Sequence, residues 1–132
     1  MGKIIVIGLI ALVIGVIIVY ITYKDDIKYK NDIQYKEMSF IEMEDLIEKN
    51  IDYVIIDVRT KEEYETGKII DAINIPLDEI KKVENIVKDK NKYIFVYCRS
   101  GNRSTYAANE LNKMGFFNVY NVGGIINYKK ID

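Results

Sequence analysis

Apolar and polar positions along this chain fall into blocks of different period, and the first block is the longest. From Ile4 to Ile21 eighteen residues run without a charge, bounded by Lys3 on one side and by Lys24, Asp25 and Asp26 on the other. A helix rises about 1.5 Å per residue, so the block matches a hydrocarbon core about 30 Å thick. The pattern predicts one transmembrane helix, assigned to residues 1–23. A cleaved signal sequence has a shorter apolar region followed by small residues, and Tyr20-Ile21-Thr22-Tyr23-Lys24 offers no such site, so the segment reads as an uncleaved anchor. Residues 24–38 mix charges with isolated Ile and Tyr, the pattern of a solvated juxtamembrane linker.

Beyond the linker the period changes. Ser39 with Glu42 three positions later is a capping-box signature, predicting a helix through about Lys49. Tyr53 to Val58 is a short β-branched run and reads as a buried strand, ending in the polar cluster Arg59-Thr60-Lys61-Glu62-Glu63. Ala72 to Ile75 predicts a second strand, stopped by Pro76 and followed by a helical pattern from Leu77 to about Val87. Lys92 to Tyr97 predicts a third strand. A helix is expected from Ser104 to about Met114 with Gly115 as its stop, then a last strand from Asn118 to Val122. Strands alternating with helices argue for an α/β fold, three-layered, with a central parallel sheet covered on both faces. The soluble domain is assigned to residues 39–132.

Composition narrows the chemistry. Lys and Arg total 19 against 20 Asp and Glu, a net charge of -1 that gives no case for nucleic acid as a partner. One cysteine and no histidine exclude an internal disulfide, the common zinc, haem and iron-sulfur ligand sets, and every catalytic arrangement built on imidazole. No metal and no cofactor are expected. The positive-inside rule sets Lys24, Lys28, Lys30 and Lys36 after the anchor against Lys3 before it, which favours a cell-membrane protein with a cytoplasmic domain. A reducing cytoplasm would also keep a lone thiol available.

That thiol is Cys98, at the head of the loop Cys98-Arg99-Ser100-Gly101-Asn102-Arg103. A strand, a loop with a glycine, and then a helix place it at the carboxyl edge of a parallel sheet, where open α/β folds keep their sites. Loop amides forming an anion nest, the helix N-terminus, and Arg99 with Arg103 would all favour the thiolate. An inert buried cysteine, the usual fate of a lone thiol, would have apolar neighbours; the next six residues here are Arg, Ser, Gly, Asn, Arg and Ser.

The loop resembles the active loop of rhodanese-type sulfurtransferases. Asp57-Val58-Arg59 with Glu63-Tyr64, Gly67-Lys68-Ile69 and Ala72-Ile73-Asn74-Ile75-Pro76 is similar to that family's first signature, and Gly123-Gly124-Ile125 to its closing turn. Lys68, Asp71 and Tyr128 depart from the residues common there, and none of them is the nucleophile. The resemblance implies a rhodanese-like domain in which Cys98 carries a sulfane sulfur as a persulfide. The donor would be a small molecule such as thiosulfate, and the acceptor cyanide or a thiol, including a protein thiol. It implies donor binding by Arg99, Ser100, Gly101, Asn102 and Arg103, the two guanidinium groups suiting an oxyanion. Asp57, Arg59 and Glu63 are expected to form a structural polar cluster beneath the loop.

One rival, a cysteine-dependent phosphatase or arsenate reductase, uses a loop with one residue more between Cys and Arg than the four separating Cys98 from Arg103. The shorter loop makes a tighter nest, suited to a sulfur atom rather than a tetrahedral phosphoryl group. A membrane-tethered sensing or docking module with a silent site is the other rival, and the polar, arginine-flanked setting of Cys98 argues against it.

Overall fold

The computed structural model of the chain describes residues 1–31 and 35–129. It divides into two units, Met1–Ile33 and Gln34–Asp132. The first is a single helix, α1 (Gly2–Asn31), long and apolar enough over Gly2–Lys28 to cross a membrane, with its apolar side chains exposed. Helix α1 runs past the expected end at residue 23, through the charged stretch that was read as linker. Of that linker, residues 32–34 lie outside the described residues.

In the second unit five strands form one wholly parallel sheet in the order β1-β5-β4-β2-β3, with β1 at Lys36–Glu37, β2 at Tyr53–Asp57, β3 at Ala72–Asn74, β4 at Tyr93–Cys98 and β5 at Val119–Gly124. Strand β1 also corrects the linker assignment. Lys36 and Glu37 pair with Tyr120 and Asn121, so the sheet begins inside the segment read as a tether. Two exposed residues show neither period 2 nor an apolar run, which is why the pattern missed them.

Alternation along the strands sorts the core into two sides. Ile56, Ile94, Val96, Cys98 and Val119 face one cluster with Ala107, Ala108 and Leu111 of α5 (Asn102–Lys113). Ile55, Phe95, Tyr97, Tyr120 and Val122 face the other with Met43 of α2 (Phe40–Ile47). The expected three layers are therefore present. Ser39 caps α2, with its side chain accepting from the Glu42 amide and Glu42 reaching back to the Ser39 amide, as the capping box predicts.

A second capping box, Thr60 with Glu63, starts the short helix α3 (Lys61–Glu65) where only a polar cluster had been expected. The expected helix from Leu77 to Val87 divides into a 3₁₀ segment, Leu77–Lys82, and one turn of α-helix, α4 (Val83–Ile86). Helix α5 starts two residues earlier than the pattern suggested, at Asn102, so that it takes in the last two residues of the Cys98–Arg103 segment.

The element that shapes the site is a bulge. Val96 pairs with Asn121 but Tyr97 pairs with Gly123, so Val122 is the extra residue in β5 and Gly124 comes to lie opposite Cys98. Gly123 takes φ +92 in the process.

Candidate active site

Cys98 is the last residue of β4, a strand flanked by β2 and β5, and is 1% exposed. Gly101, with φ +105, turns the chain into α5; a side chain would be strained at that dihedral. The turn brings the Gly101 amide to 3.0 Å from Cys98 Sγ, and the Ser104 hydroxyl lies 3.6 Å from the same sulfur. Burial pushes the thiol pKa up. Hydrogen bonds from the Ser104 hydroxyl and from the Ser104, Gly101 and Ser100 amides outweigh it, so the thiol lies below its ordinary range.

The loop residues divide by exposure. Arg99, Ser100 and Asn102 are exposed, while Gly101 and Arg103 are half-buried. The two arginines were expected to act together on the thiolate, and the structure separates them. Arg103 is held by Glu63 of α3 in a two-pronged pair, Nη1 to Oε2 at 2.8 Å and Nη2 to Oε1 at 3.1 Å. That hydrogen bond lowers the Glu63 pKa and raises that of Arg103, which also responds to the Cys98 charge nearby. Arg99 carries no resolved ion pair among the described residues.

Of the expected cluster of Asp57, Arg59 and Glu63, the first two pair with each other, while Glu63 feels the charge of Arg59 but accepts hydrogen bonds from Arg103. Asp57 and Arg59 are buried, at 0% and 5% exposure, with Arg59 Nη2 2.6 Å from Asp57 Oδ2 and also 2.6 Å from the Gly67 carbonyl. Asn74 donates to the Asp57 and Arg59 carbonyls, and the Tyr97 hydroxyl accepts from the Ile69 amide. This network ties β2 to β3 and β4 next to the loop. Glu63 instead joins α3 to α5 through Arg103.

Three residues at the site escaped the sequence reading. Ser104 and Thr105 hydroxyls both reach the Gly101 carbonyl, at 2.9 and 3.0 Å. Asn121, 3% exposed, donates to Thr105 Oγ1 at 3.1 Å. Their signals were present: two hydroxyl residues in the first turn after the loop, and one polar residue interrupting the apolar run of β5. Lys68, one of the departures from the resemblance, covers the Tyr64 ring at 4.8 Å, and Tyr128, another, donates to Glu44 at 2.8 Å. Asp71, the third, adopts φ +65, a left-handed turn that the more usual glycine would enter without strain. Among the described residues no group of three or more Cys, Asp or Glu side chains is arranged to hold a metal.

Residues 39–130 match the model of the rhodanese-like domain. The chain belongs to the rhodanese-like domain family. Among curated relatives, the thiosulfate sulfurtransferase PspE of Escherichia coli is 44% identical over 71 residues, which are 53% of this chain and 68% of that protein. The probable molybdopterin-synthase adenylyltransferase of Porphyra purpurea is 34% identical over 73% of this chain, yet the match spans only 26% of that longer protein. Among solved structures, a rhodanese with anions from E. coli superposes with a TM-score of 0.58 at 38% identity, covering 61% of this chain and 96% of that one. A rhodanese-like domain protein from Staphylococcus aureus gives a TM-score of 0.65 at 29% identity, covering 74% and 96%. This rhodanese-like domain therefore sits among sulfurtransferases in sequence and in fold.

Proposed function

We propose that this rhodanese-like protein is a membrane-anchored sulfurtransferase in which Cys98 carries the sulfur. The observation that carries the reading is the Cys98 sulfur held at 3.0 Å from the Gly101 amide in a chain without histidine. Hydrogen bonds from the loop favour the thiolate, so no imidazole base is required.

The Cys98 thiolate attacks the sulfane sulfur of thiosulfate. A bond forms between the two sulfurs, the bond to the sulfonate sulfur breaks, and sulfite leaves with the electron pair. The loop amides then face the persulfide. An acceptor thiolate attacks the outer sulfur and leaves as a persulfide, returning Cys98 as thiolate; cyanide would leave as thiocyanate. Two half-reactions of this kind give ping-pong kinetics. Arg99, with its exposed guanidinium, meets the anionic donor, while Arg103 is largely engaged by Glu63. Ser100, Gly101 and Asn102 complete the loop around the donor. Helix α1 anchors the protein as a single span with the domain on the cytoplasmic side, the side given by its lysines.

Incubation with thiosulfate followed by intact mass spectrometry tests the chemistry. One added sulfur atom on the wild type, and none on Cys98→Ser, is the expected result; no added sulfur with any sulfane donor would favour a docking module instead. An impermeant thiol reagent on intact cells tests the side, since the chain's one thiol lies in the domain. Labelling would place the domain outside.

A further inference from the structure

The Gly101 carbonyl is offered more donors than it has lone pairs. The Ser104 hydroxyl lies 2.9 Å from it, the Thr105 hydroxyl 3.0 Å and the Thr105 amide 3.2 Å. A carbonyl oxygen has two lone pairs, so one of these donors is surplus. The direction of the Thr105 bond is fixed from behind. Asn121 Nδ2, which only donates, lies 3.1 Å from Thr105 Oγ1, so that oxygen accepts there and turns its own hydrogen to Gly101. Asn121 is oriented in turn by the Gly123 amide on its Oδ1 and by Glu37 Oε1 on its Nδ2, both at 3.1 Å.

The surplus donor is Ser104, and it is the one that also reaches the nucleophile. Its side chain is wholly buried, and its Oγ is 3.6 Å from Cys98 Sγ. We propose that Ser104 is a catalytic residue whose hydroxyl turns from the Gly101 carbonyl to the Cys98 sulfur when the thiol ionises, with Thr105 as the positioning residue that keeps the carbonyl satisfied. As a thiol, Cys98 donates to Ser104 Oγ and Ser104 donates to Gly101. On ionisation the sulfur's proton leaves to solvent, Ser104 keeps its own proton, and only the O–H bond rotates. A hydrogen bond to a charged acceptor is stronger than one to a neutral carbonyl, so the rotation is favourable once the sulfur is charged. The hydrogen bond from the Ser104 hydroxyl that favours the thiolate agrees with this geometry.

The assignment rests on Cys98 being the reactive thiol, but its test does not require sulfur transfer. Cys98 is the chain's one cysteine, so the pH profile of its alkylation in the full-length protein in detergent reports on it alone. Ser104→Ala should move the midpoint upward, with an about tenfold smaller thiolate fraction on its acid side, the equivalent of one charge-assisted hydrogen bond. Thr105→Val is nearly isosteric and keeps the backbone bond, yet it too should move the midpoint upward, because Gly101 then holds Ser104. Thr105→Ser should restore the wild-type profile, and Thr105→Val should add nothing to Ser104→Ala. None of these changes alters Arg99, Arg103, Glu63, Asp57 or Arg59, the charged groups in and around the loop. An unmoved midpoint in Ser104→Ala, or additive effects in the double variant, overturns the assignment. A shifted midpoint in a protein that gains no sulfur from any sulfane donor would instead defeat the transferase reading and leave standing the turn of the Ser104 hydroxyl to the Cys98 thiolate.

Discussion

Gly124 is packed against the backbone of Arg99 so closely that a β-carbon at position 124 would stand 2.5 Å from the Arg99 carbonyl oxygen and 2.7 Å from the Ser100 α-carbon. The bulge in β5 produces this approach by placing Gly124 opposite Cys98. Gly124 has φ -106, a dihedral any residue adopts, so the demand for glycine is one of space and not of backbone conformation. Gly124→Ala should therefore displace the loop, slow Cys98 alkylation, and lower stability by about 1–3 kcal/mol, the usual cost of overpacking. Gly123→Ala is the contrast. Its φ of +92 strains any side chain, but nothing lies within 4 Å of the added carbon, so thermal melting should fall while Cys98 reactivity changes less.

The Asp57–Arg59 pair predicts a different kind of loss. Both groups are buried, and removing the carboxylate leaves a guanidinium without its counter-charge next to β3. Asp57→Ala should cost about 3–5 kcal/mol, measured by denaturant titration. Because the pair does not touch the Cys98 sulfur, the folded fraction should retain the wild-type alkylation profile. A changed profile in a fully folded variant would make the pair part of the site.

How much of this was legible beforehand follows from what each signal depends on. Strands β2, β3, β4 and β5 and the Ser39 cap were readable because apolar runs and capping residues are local properties. The Cys98 loop was readable because one cysteine is followed by polar residues and glycine. Strand β1 was not, since Lys36 and Glu37 enter the sheet through backbone pairing with β5, distant in the sequence. Arg103 is legible as a charge near Cys98, but its pairing with Glu63 is not, because that depends on the short helix α3. The Thr60–Glu63 spacing that announces that helix lies inside a run whose dominant local signal is charge. The donor surplus at Gly101 depends on Asn121, and no local pattern connects residue 121 to residue 101.

The separation of the two arginines predicts that they fail differently. Arg99 is exposed, so Arg99→Ala should raise the KM for thiosulfate severalfold, more strongly at low ionic strength, with kcat little changed. Arg103→Ala should instead lower the melting temperature, because it unties α5 from α3. The acid side gives a sharper check. Glu63 is held below the usual carboxylate range by Arg103, so its contribution to stability is full above that range and is lost as pH falls through the lowered value. Glu63→Gln keeps the capping-box geometry and removes the charge. It should flatten that acid limb by at most about 1 kcal/mol, since the pair is a third exposed and screened. An acid limb identical to the wild type would show that the pair contributes nothing.

The edge strand makes the last prediction, which concerns where the domain begins. The family match starts at residue 39, and the sequence pattern suggests the same boundary. The sheet starts earlier, at Lys36, with Met38 donating to the Asn121 carbonyl at 3.0 Å and Glu37 accepting from the Asn121 side chain. A chain beginning at residue 35 should therefore be water-soluble, lacking α1, and should match the full-length protein in the alkylation profile of Cys98. A chain beginning at Ser39 loses β1 and one of the two anchors of Asn121. Removing those few backbone and side-chain bonds, each of about 1 kcal/mol, should lower its denaturation midpoint. It should also move its alkylation profile in the direction of Thr105→Val, because a loosened Asn121 no longer fixes the Thr105 hydroxyl. Equal behaviour of the two truncated chains would remove β1 from the support of the loop and return residues 35–38 to the role of a tether.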